Sequence, residues 1–269
     1  MLDRTDVQLA REAAQRVVRI HERLADWLRP GHTLAHIDTF VADQLRDLKS
    51  KSAFLNYRTG GYRAFPSHAC LSANDVIVHG TAGMSLKPLE PGDVISIDIG
   101  VRYQGFIGDA AWTYIIVAGT DEAIRLCECG IACIRRGVQT LRPGARLVEW
   151  ARVVQQCAET EYGYHLVRGL GGHGYGRSLH ESPFVSNVLP WSHHEWPDMH
   201  WVLEPGQLLA VEPMVAATTA ETTQDPREWP IRTADGGLSV HYEHDVLINV
   251  DGPEILTAGL DDLPMIVGI

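Results

Sequence analysis

Two turn sequences occur twice in the chain at nearly the same spacing. The tetrapeptide Leu-Arg-Pro-Gly at residues 28–31 recurs at 141–144, and Leu-Glu-Pro-Gly at 89–92 recurs at 203–206, offsets of 113 and 114 residues. A Pro-Gly turn before a regular element is common, so either match alone carries little weight. Because two independent matches agree on the offset, the sequence indicates that a half-domain has been duplicated.

Hydrophobic periodicity supports this duplication, since each half begins with helical patterns and ends in β-rich runs. Apolar residues recur every three to four positions in four segments, which we predict to be helices: 6–27, 34–48, 121–139 and 147–161. Runs rich in β-branched and aromatic residues predict strands at 71–78, 94–103, 106–117, 208–215 and 240–250.

This order of elements predicts an α+β protein with a largely antiparallel sheet. We expect one domain over residues 1–269, made of two pseudo-symmetric ααβ halves at about 1–118 and 119–269. A composition of 45% apolar and 21% charged residues is that of an ordinary globular protein, which excludes disordered and collagen-like classes.

Charge and cysteine content limit the partners and the compartment. The formal net charge of −11 leaves no general basic surface for phosphate backbones, so we expect no direct nucleic-acid binding. The chain has no apolar run of about 18 residues and no basic-then-apolar start, which predicts a cytoplasmic protein without membrane attachment. Five cysteines at uneven spacing predict reduced thiols rather than disulfides.

Acidic residues interrupt strands that should be buried. In the predicted strand 94–103, Asp98 follows the mainly apolar run Val-Ile-Ser-Ile. Asp109 likewise places a carboxylate in the next predicted strand. An ionised carboxylate is costly to remove from water unless a cation or strong hydrogen bonds compensate. A turn at 103–105 folds these strands back and brings both carboxylates to one region. Two like charges there require a cation between them or a raised pKa.

The second half supplies matching groups. The offset of 114 carries Asp98 onto Glu212, again an acid in an apolar strand. Glu243 lies on the last long strand, and His173 lies in a glycine-rich segment that permits close backbone approach. We expect these four carboxylates and one imidazole to converge as a hard ligand set, suited to a pair of Mn, Fe, Co or Zn ions. The alternative is that the acids lie scattered and solvated.

Six motifs occur in an order and spacing that point to a known family. They are Asn-Asp-Val-Ile-Val-His-Gly at 74–80, the two aspartates eleven residues apart, Gly-His-Gly-Tyr-Gly-Arg at 172–177, Leu-His-Glu-Ser-Pro at 179–183, Val-Glu-Pro-Met at 211–214 and Tyr-Glu-His at 242–244. Over nearly its whole length the chain resembles type I methionine aminopeptidases of the bacterial kind. The resemblance implies the pita-bread fold and removal of initiator methionine from nascent proteins.

The resemblance also implies a role for each member of the ligand set. Asp98 would chelate the second of two divalent ions (Co, Mn, Fe or Zn). Asp109 and Glu243 would bridge both ions, while His173 and Glu212 would complete the first. We assign Glu212 as the general base that accepts the proton of the attacking water.

Substrate contacts are implied at six further positions. His180 would lie near the scissile carbonyl and His79 near the scissile amide nitrogen; the alternative is that both are structural histidines. The methionine side-chain pocket would be lined by Tyr62, Phe65, Cys70 and Leu179. For Cys70 and Leu179 a role in the hydrophobic core is an equal alternative.

Departures from the family pattern surround this pocket rather than the metal ligands. Thr81 and Ala82 replace a bulky aliphatic residue and a proline, and Leu179 stands where an aromatic is common. The tryptophan expected between Arg232 and Tyr242 is absent. Two loops are also predicted: 190–201, rich in Trp and His, either as a lid over the site or as a cover of the core, and 216–231, as a surface connection.

Three readings of the function follow. The first is a methionine aminopeptidase acting as a monomer on N-terminal peptides of nascent proteins, with transient contact to the ribosome. The second is a related pita-bread peptidase with another preference, such as a prolyl dipeptidase or a small-residue aminopeptidase. The third is a catalytically silent pita-bread protein that binds ribosome, RNA or protein partners.

Overall fold

The computed structural model describes residues 3–192 and 194–269. Its helices follow the predicted order and are α1 (Arg4–Trp27), α2 (Leu34–Asp47), α3 (Asp121–Val138) and α4 (Leu147–Gln155). A π-helix (Gln156–Tyr162) continues α4, and two 3-10 turns lie at Pro197–His200 and Ala258–Asp262. Within the described ranges, no helix combines the length and apolar character that crossing a membrane requires.

Sixteen strands are described. They are β1 (Lys51–Ser52), β2 (Cys70–Ala73), β3 (Val76–Val78), β4 (Val94–Tyr103), β5 (Phe106–Ile116), β6 (His165–Leu166), β7 (Gly171–Gly174), β8 (Glu181–Ser186), β9 (Leu208–Val211), β10 (Met214–Ala216), β11 (Thr222–Thr223), β12 (Ile231–Thr233), β13 (Ser239–His241), β14 (His244–Asn249), β15 (Gly252–Ile255) and β16 (Ile266–Val267).

The strands form four sheets. The first has the order β1-β4-β5-β16 with β2 also on β4, and the last has the order β15-β14-β9-β7-β8. Two three-stranded sheets have the orders β13-β10-β6 and β11-β12-β3. All pairs are antiparallel except β16 with β5, so the largely antiparallel arrangement is as predicted.

The long first helix shows why these residues form helices. The side chain of Asp3 accepts a hydrogen bond from the backbone N–H of Asp6, and the side chain of Asp6 accepts one from the backbone N–H of Asp3, which satisfies two otherwise unpaired donors at the helix start. The helix ends before Pro30, which cannot continue it. Its apolar face packs against β4 and β5 and buries Ala10, Ala13, Ala14, Val17, Val18, Ile20, Leu24 and Ala25.

The two repeated tetrapeptides contact each other in the same way in both halves. The backbone N–H of Gly31 donates to the Leu89 carbonyl at 2.8 Å, and that of Gly144 donates to the Leu203 carbonyl at 2.8 Å. Both glycines have positive φ, +91° and +85°, a conformation that favours glycine in a turn. These matched contacts support the duplication, whose half boundaries stay a prediction.

Three predicted strands are each two strands in the structure. The predicted strand 71–78 breaks at Asn74, whose φ of 56° is left-handed. The predicted strand 208–215 breaks at Glu212 and Pro213, since proline has no N–H for the ladder. The predicted strand 240–250 breaks at Tyr242 and Glu243. By contrast, β4 has the predicted bounds and β5 ends one residue early.

The Trp- and His-rich segment 190–201 is a loop, as predicted, but its tryptophans differ in burial. Trp196 is 1% exposed, and its Nε1 donates to the Phe184 carbonyl, so it covers the core. Trp191 is 83% exposed, with the Arg168 guanidinium 4.0 Å above its ring. His193, which the sequence places in this loop, lies outside the described residues.

Candidate metal centre

Asp98 and Asp109 project from one face of the β4–β5 pair. Gly100 lies opposite Asp109 and Ala111 opposite Asp98. Opposed residues of an antiparallel pair share a face, as do alternate residues along each strand. The two carboxylates are therefore diagonal neighbours, as the predicted turn at 103–105 requires. Cys70 lies directly opposite Asp98 on β2, so its thiol shares that face.

Both glutamates lie at strand breaks. Glu212 follows β9 and is 9% exposed, and its carbonyl accepts a hydrogen bond from Asn187 at 2.9 Å. Glu243 lies between β13 and β14 and is 2% exposed. Its backbone N–H donates to the Ala111 carbonyl at 2.9 Å, so the segment between β13 and β14 is hydrogen-bonded to β5. The interruptions in the ladders therefore direct the two side chains toward the aspartates.

His173 lies on β7 and is 8% exposed. Its Nδ1 is 3.0 Å from the Gly174 carbonyl. A carbonyl only accepts, so Nδ1 carries the proton and the lone pair of Nε2 remains available to a metal. A Cβ at Gly172 would overlap the Ala210 carbonyl, which shows how closely β7 approaches β9.

The structure brings the five predicted ligands together. His173 Nε2 lies 3.7 Å from Glu212 Oε1 and 4.0 Å from Asp109 Oδ2. Donor atoms of Asp109, His173 and Glu243 all lie within 4.8 Å of one another. Asp98 lies diagonally across the β4–β5 pair from Asp109, close enough for the two carboxylates to interact electrostatically.

The carboxylates of this cluster are disfavoured as anions where no cation balances their charge. Loss of hydration raises the pKa of Asp98 to about 7. Burial and the neighbouring carboxylates raise the pKa values of Asp109 and Glu243 well above their usual range, and burial and Asp98 do so for Glu212. Burial lowers the pKa of His173 to about 3, so its imidazole is neutral.

The donor set fits divalent metal ions. Asp98 Oδ1 and Asp109 Oδ1 are buried and make no hydrogen bond. In the described part of the chain, no Lys or Arg forms an ion pair with the clustered carboxylates. Buried carboxylate oxygens and an imidazole nitrogen without a balancing cation are the ligands that Mn, Fe, Co and Zn accept.

The cluster lies in the wall of a cavity of about 650 Å³. His79 and His180 line the same cavity. The ring of His180 lies 4.4 Å from that of His173, centre to centre, and Tyr57 Oη is 2.7 Å from His180 Nδ1. Burial lowers the pKa of His79 to about 4. The two histidines predicted to contact substrate thus face the predicted metal ligands.

Apolar side chains line the rest of the cavity. Phe65, Cys70 and Leu179 are there as expected, each at most 5% exposed. Tyr62 is not among the lining residues; its ring packs 5.0 Å from that of Trp229. The tyrosine in the lining is Tyr57, which sequence reasoning missed.

Trp229 is a second lining residue that sequence reasoning missed. It precedes Arg232, so it lies outside the stretch between Arg232 and Tyr242 where a tryptophan was expected. It lies in the predicted surface connection 216–231, yet it is 9% exposed and its Nε1 donates to the Arg63 carbonyl. Its ring meets Phe65 edge-on at 5.2 Å and His79 at 6.0 Å. A lone tryptophan in a polar run was the available signal.

His241 also escaped the sequence reasoning. It is 2% exposed, and its Nε2 lies 3.2 Å from Glu212 Oε2. Donor atoms of Glu212, His241 and Glu243 form a second group within 4.8 Å of one another. The sequence feature that could have identified it is its position in an apolar strand, two residues before Glu243.

The chain is similar to known metallopeptidases. Residues 8–249 match metallopeptidase family M24. A methionine aminopeptidase of Aquifex aeolicus is 33% identical over 253 residues, which cover 94% of this chain and 96% of that protein. Methionine aminopeptidase 1 of Bacillus subtilis is 34% identical over 252 residues, which cover 94% and 96%.

A solved structure extends the comparison to the fold. The crystal structure of methionine aminopeptidase from Rickettsia prowazekii superposes with a TM-score of 0.87 at 28% identity, covering 96% of this chain and 98% of that one. The likeness covers almost the whole of both chains. The predicted α+β class and pita-bread fold are confirmed.

Proposed function

The chain belongs to metallopeptidase family M24, and we propose that it is a methionine aminopeptidase that removes the initiator methionine from nascent proteins. The observation that carries the proposal is the convergence of four buried carboxylates and His173 in the wall of a cavity that His79 and His180 also line. This is the geometry of metal-assisted hydrolysis beside a substrate pocket.

We propose that the ligands hold two divalent ions. Asp98 would hold the second ion, His173 and Glu212 would hold the first, and Asp109 and Glu243 would be ligands of both. Two such ions balance four carboxylates and supply, when bound, Lewis acidity toward water and the substrate carbonyl. The candidate ions are Co, Mn, Fe and Zn, all of which accept this donor set.

The remaining steps fall to side chains of the chain itself. Glu212 directs Oε1 toward the cluster, where it accepts the proton of the attacking water and passes it to the leaving amine. His180, oriented through Nδ1 by Tyr57, donates from Nε2 to the carbonyl oxygen as negative charge develops there. His79 contacts the scissile amide nitrogen.

The acidic cluster also explains why the enzyme would cleave at the N-terminus of a peptide rather than at internal peptide bonds. The N-terminal residue of a peptide carries a free amine, which a bound ion or its carboxylate ligands could anchor, whereas an internal peptide bond offers no such group. The apolar wall formed by Phe65, Cys70, Leu179 and Trp229 then accepts an unbranched side chain such as that of methionine. Tyr62 supports this wall from behind Trp229.

The proposal carries further predictions. The substrates are N-terminal peptides of nascent proteins, met in the cytoplasm with transient ribosome contact, and the enzyme acts as a monomer without nucleic acid or membrane. The second candidate function is an aminopeptidase with a different N-terminal preference. Leu179, in the cavity wall, stands at a position where an aromatic residue is common in the family.

Release of the first residue from Xaa-Gly-Met-Met peptides tests the proposal. The metal-free protein is reconstituted separately with Mn²⁺, Co²⁺, Fe²⁺ or Zn²⁺, and free amino acid is measured for each Xaa. We expect methionine to be released at least about tenfold faster than leucine or phenylalanine, since pocket fit discriminates by 1–3 kcal/mol.

Other outcomes separate the alternatives. Faster release of small residues or of Xaa-Pro substrates assigns another preference to the same metal site. Silence with every metal, despite measured metal binding, favours a protein that binds partners without catalysis.

A further inference from the structure

His241 is held rigidly beside the metal cluster. It ends β13, where it pairs with Met214 across the sheet. Its backbone N–H donates to Ser96 Oγ at 3.1 Å and Thr113 Oγ1 at 3.2 Å. Three separate contacts therefore fix its backbone two residues before Glu243, and its side chain is buried against Glu212.

The imidazole and Glu212 are close without being hydrogen-bonded. His241 Nε2 lies 3.2 Å from Glu212 Oε2, yet Nε2 makes no hydrogen bond. A hydrogen bond requires alignment as well as distance, and this pair has only the distance. A buried nitrogen without a partner is costly in a protein interior, so its presence requires an explanation.

A shared metal ion explains this geometry. Bonds from zinc to nitrogen and oxygen are about 2.0–2.2 Å long, so two donors at right angles on one ion are roughly 3 Å apart. Such donors aim at the ion rather than at each other. Glu212, His241 and Glu243 place donor atoms within 4.8 Å of one another, and Glu243 also belongs to the group with Asp109 and His173.

We propose that His241 is a metal ligand, a second imidazole that joins Glu212 and Glu243 at the first ion. The inference rests on the proposed function, because it takes a divalent ion to be bound there. Imidazole suits Zn, Fe, Co and Ni, whereas Mn is better served by oxygen ligands. A second imidazole therefore shifts the preference of the site away from Mn²⁺.

Proton NMR of the Co²⁺-reconstituted wild-type protein tests the ligand count without any substitution. Unpaired electrons on Co²⁺ move the exchangeable N–H of each coordinated imidazole far outside the ordinary spectrum. We expect two such signals, one from His173, whose Nδ1–H faces the Gly174 carbonyl, and one from His241. One signal alone overturns the inference and leaves His241 as a neighbour of Glu212.

Metal titration by calorimetry gives a second readout. His241→Gln should weaken binding of Zn²⁺ and Co²⁺ by at least about tenfold and of Mn²⁺ by less. His200→Gln, at an exposed position, is the matched control and should bind all three ions as the wild type does. Unchanged affinities in His241→Gln contradict the inference.

The two proposals fail in different ways. A wild-type protein that binds Co²⁺ with one imidazole signal contradicts the role of His241 and leaves the aminopeptidase assignment intact. A wild-type protein that binds no divalent ion contradicts both.

Discussion

The phenol oxygen of Tyr57 lies 2.7 Å from Nδ1 of His180 in the wall of the cavity. With the phenol as donor, Nδ1 accepts and the ring proton of His180 lies on Nε2, the tautomer that can donate to a carbonyl oxygen. Tyr57 is in this respect a positioning residue, since it acts through His180.

Tyr57→Phe removes this bond while keeping the ring. We expect kcat to fall about fivefold with KM little changed, because one orienting hydrogen bond contributes about 1 kcal/mol. Steady-state kinetics on a methionyl peptide measure both constants. Tyr103→Phe, at the far end of β4, is the control, and an equal loss of kcat there would show that the effect is not specific to His180.

Asp109→Ala should abolish turnover. Asp109 is 3% exposed at the centre of the ligand cluster, and its removal takes away the proposed bridge between the ions. We expect metal affinity to fall by about 100-fold or more, measured by calorimetry. Asp251→Ala, at an exposed position, should behave as the wild type. Appreciable activity of Asp109→Ala at equal metal loading contradicts the dinuclear assignment.

The metal-free protein should lose stability as the pH rises from 7 to 8. Burial raises the pKa values of Asp109, Glu212 and Glu243 well above their usual range, so the folded state keeps protons that the unfolded state has released. Folding then takes up protons, and stability falls with pH by about 1.4 kcal/mol per pH unit for each proton.

The histidines do not contribute to this loss of stability between pH 7 and 8. The pKa of His173 is lowered to about 3, so this group destabilises the fold only as the pH drops below about 6.5. Thermal unfolding in chelator and in excess Mn²⁺ checks the prediction. A bound ion keeps the carboxylates charged, so the fall between pH 7 and 8 should disappear with Mn²⁺, and an equal fall in both conditions refutes the explanation.

Trp229→Ala should widen the pocket. The ring contacts Phe65 and His79 and lines the cavity. We expect KM for methionyl peptides to rise about tenfold and the selectivity over leucine to decrease, since pocket contacts contribute 1–3 kcal/mol to discrimination. The peptide panel measures both. Trp191→Ala removes an 83% exposed ring as the control and should leave the selectivity unchanged.

Gly172→Ala should displace His173. A Cβ at this position would overlap the backbone of Ala210 on β9, which cannot move as a side chain can. Overpacking of this kind costs about 1–3 kcal/mol, or roughly 2–12 °C in Tm for a chain of this size. Gly83→Ala adds the same methyl group where nothing lies within 4 Å and should keep Tm. Equal Tm values for the two variants would contradict the close approach of β7 and β9.

The sequence by itself predicted which acidic side chains would lie together in a buried cluster. Asp98, Asp109 and Glu212 interrupt apolar strands, and a charge in such a strand needs a compensating group whatever the details of the fold. The offset of 114 residues relates Asp98 to Glu212 from the sequence alone. The helices and β4 were predictable for a similar reason, since periodicity and capping are local properties.

Only the tertiary structure decided which side chains complete the site. Tyr57 rather than Tyr62 reaches His180, and Trp229 enters the cavity from a polar segment, because both depend on loop paths that local sequence does not encode. The break at Glu243 likewise follows from a contact between strands far apart in the chain, since its backbone N–H donates to the Ala111 carbonyl. His241 became a candidate ligand for the same physical reason: convergence of donor atoms is a property of distance in space, not of spacing along the chain.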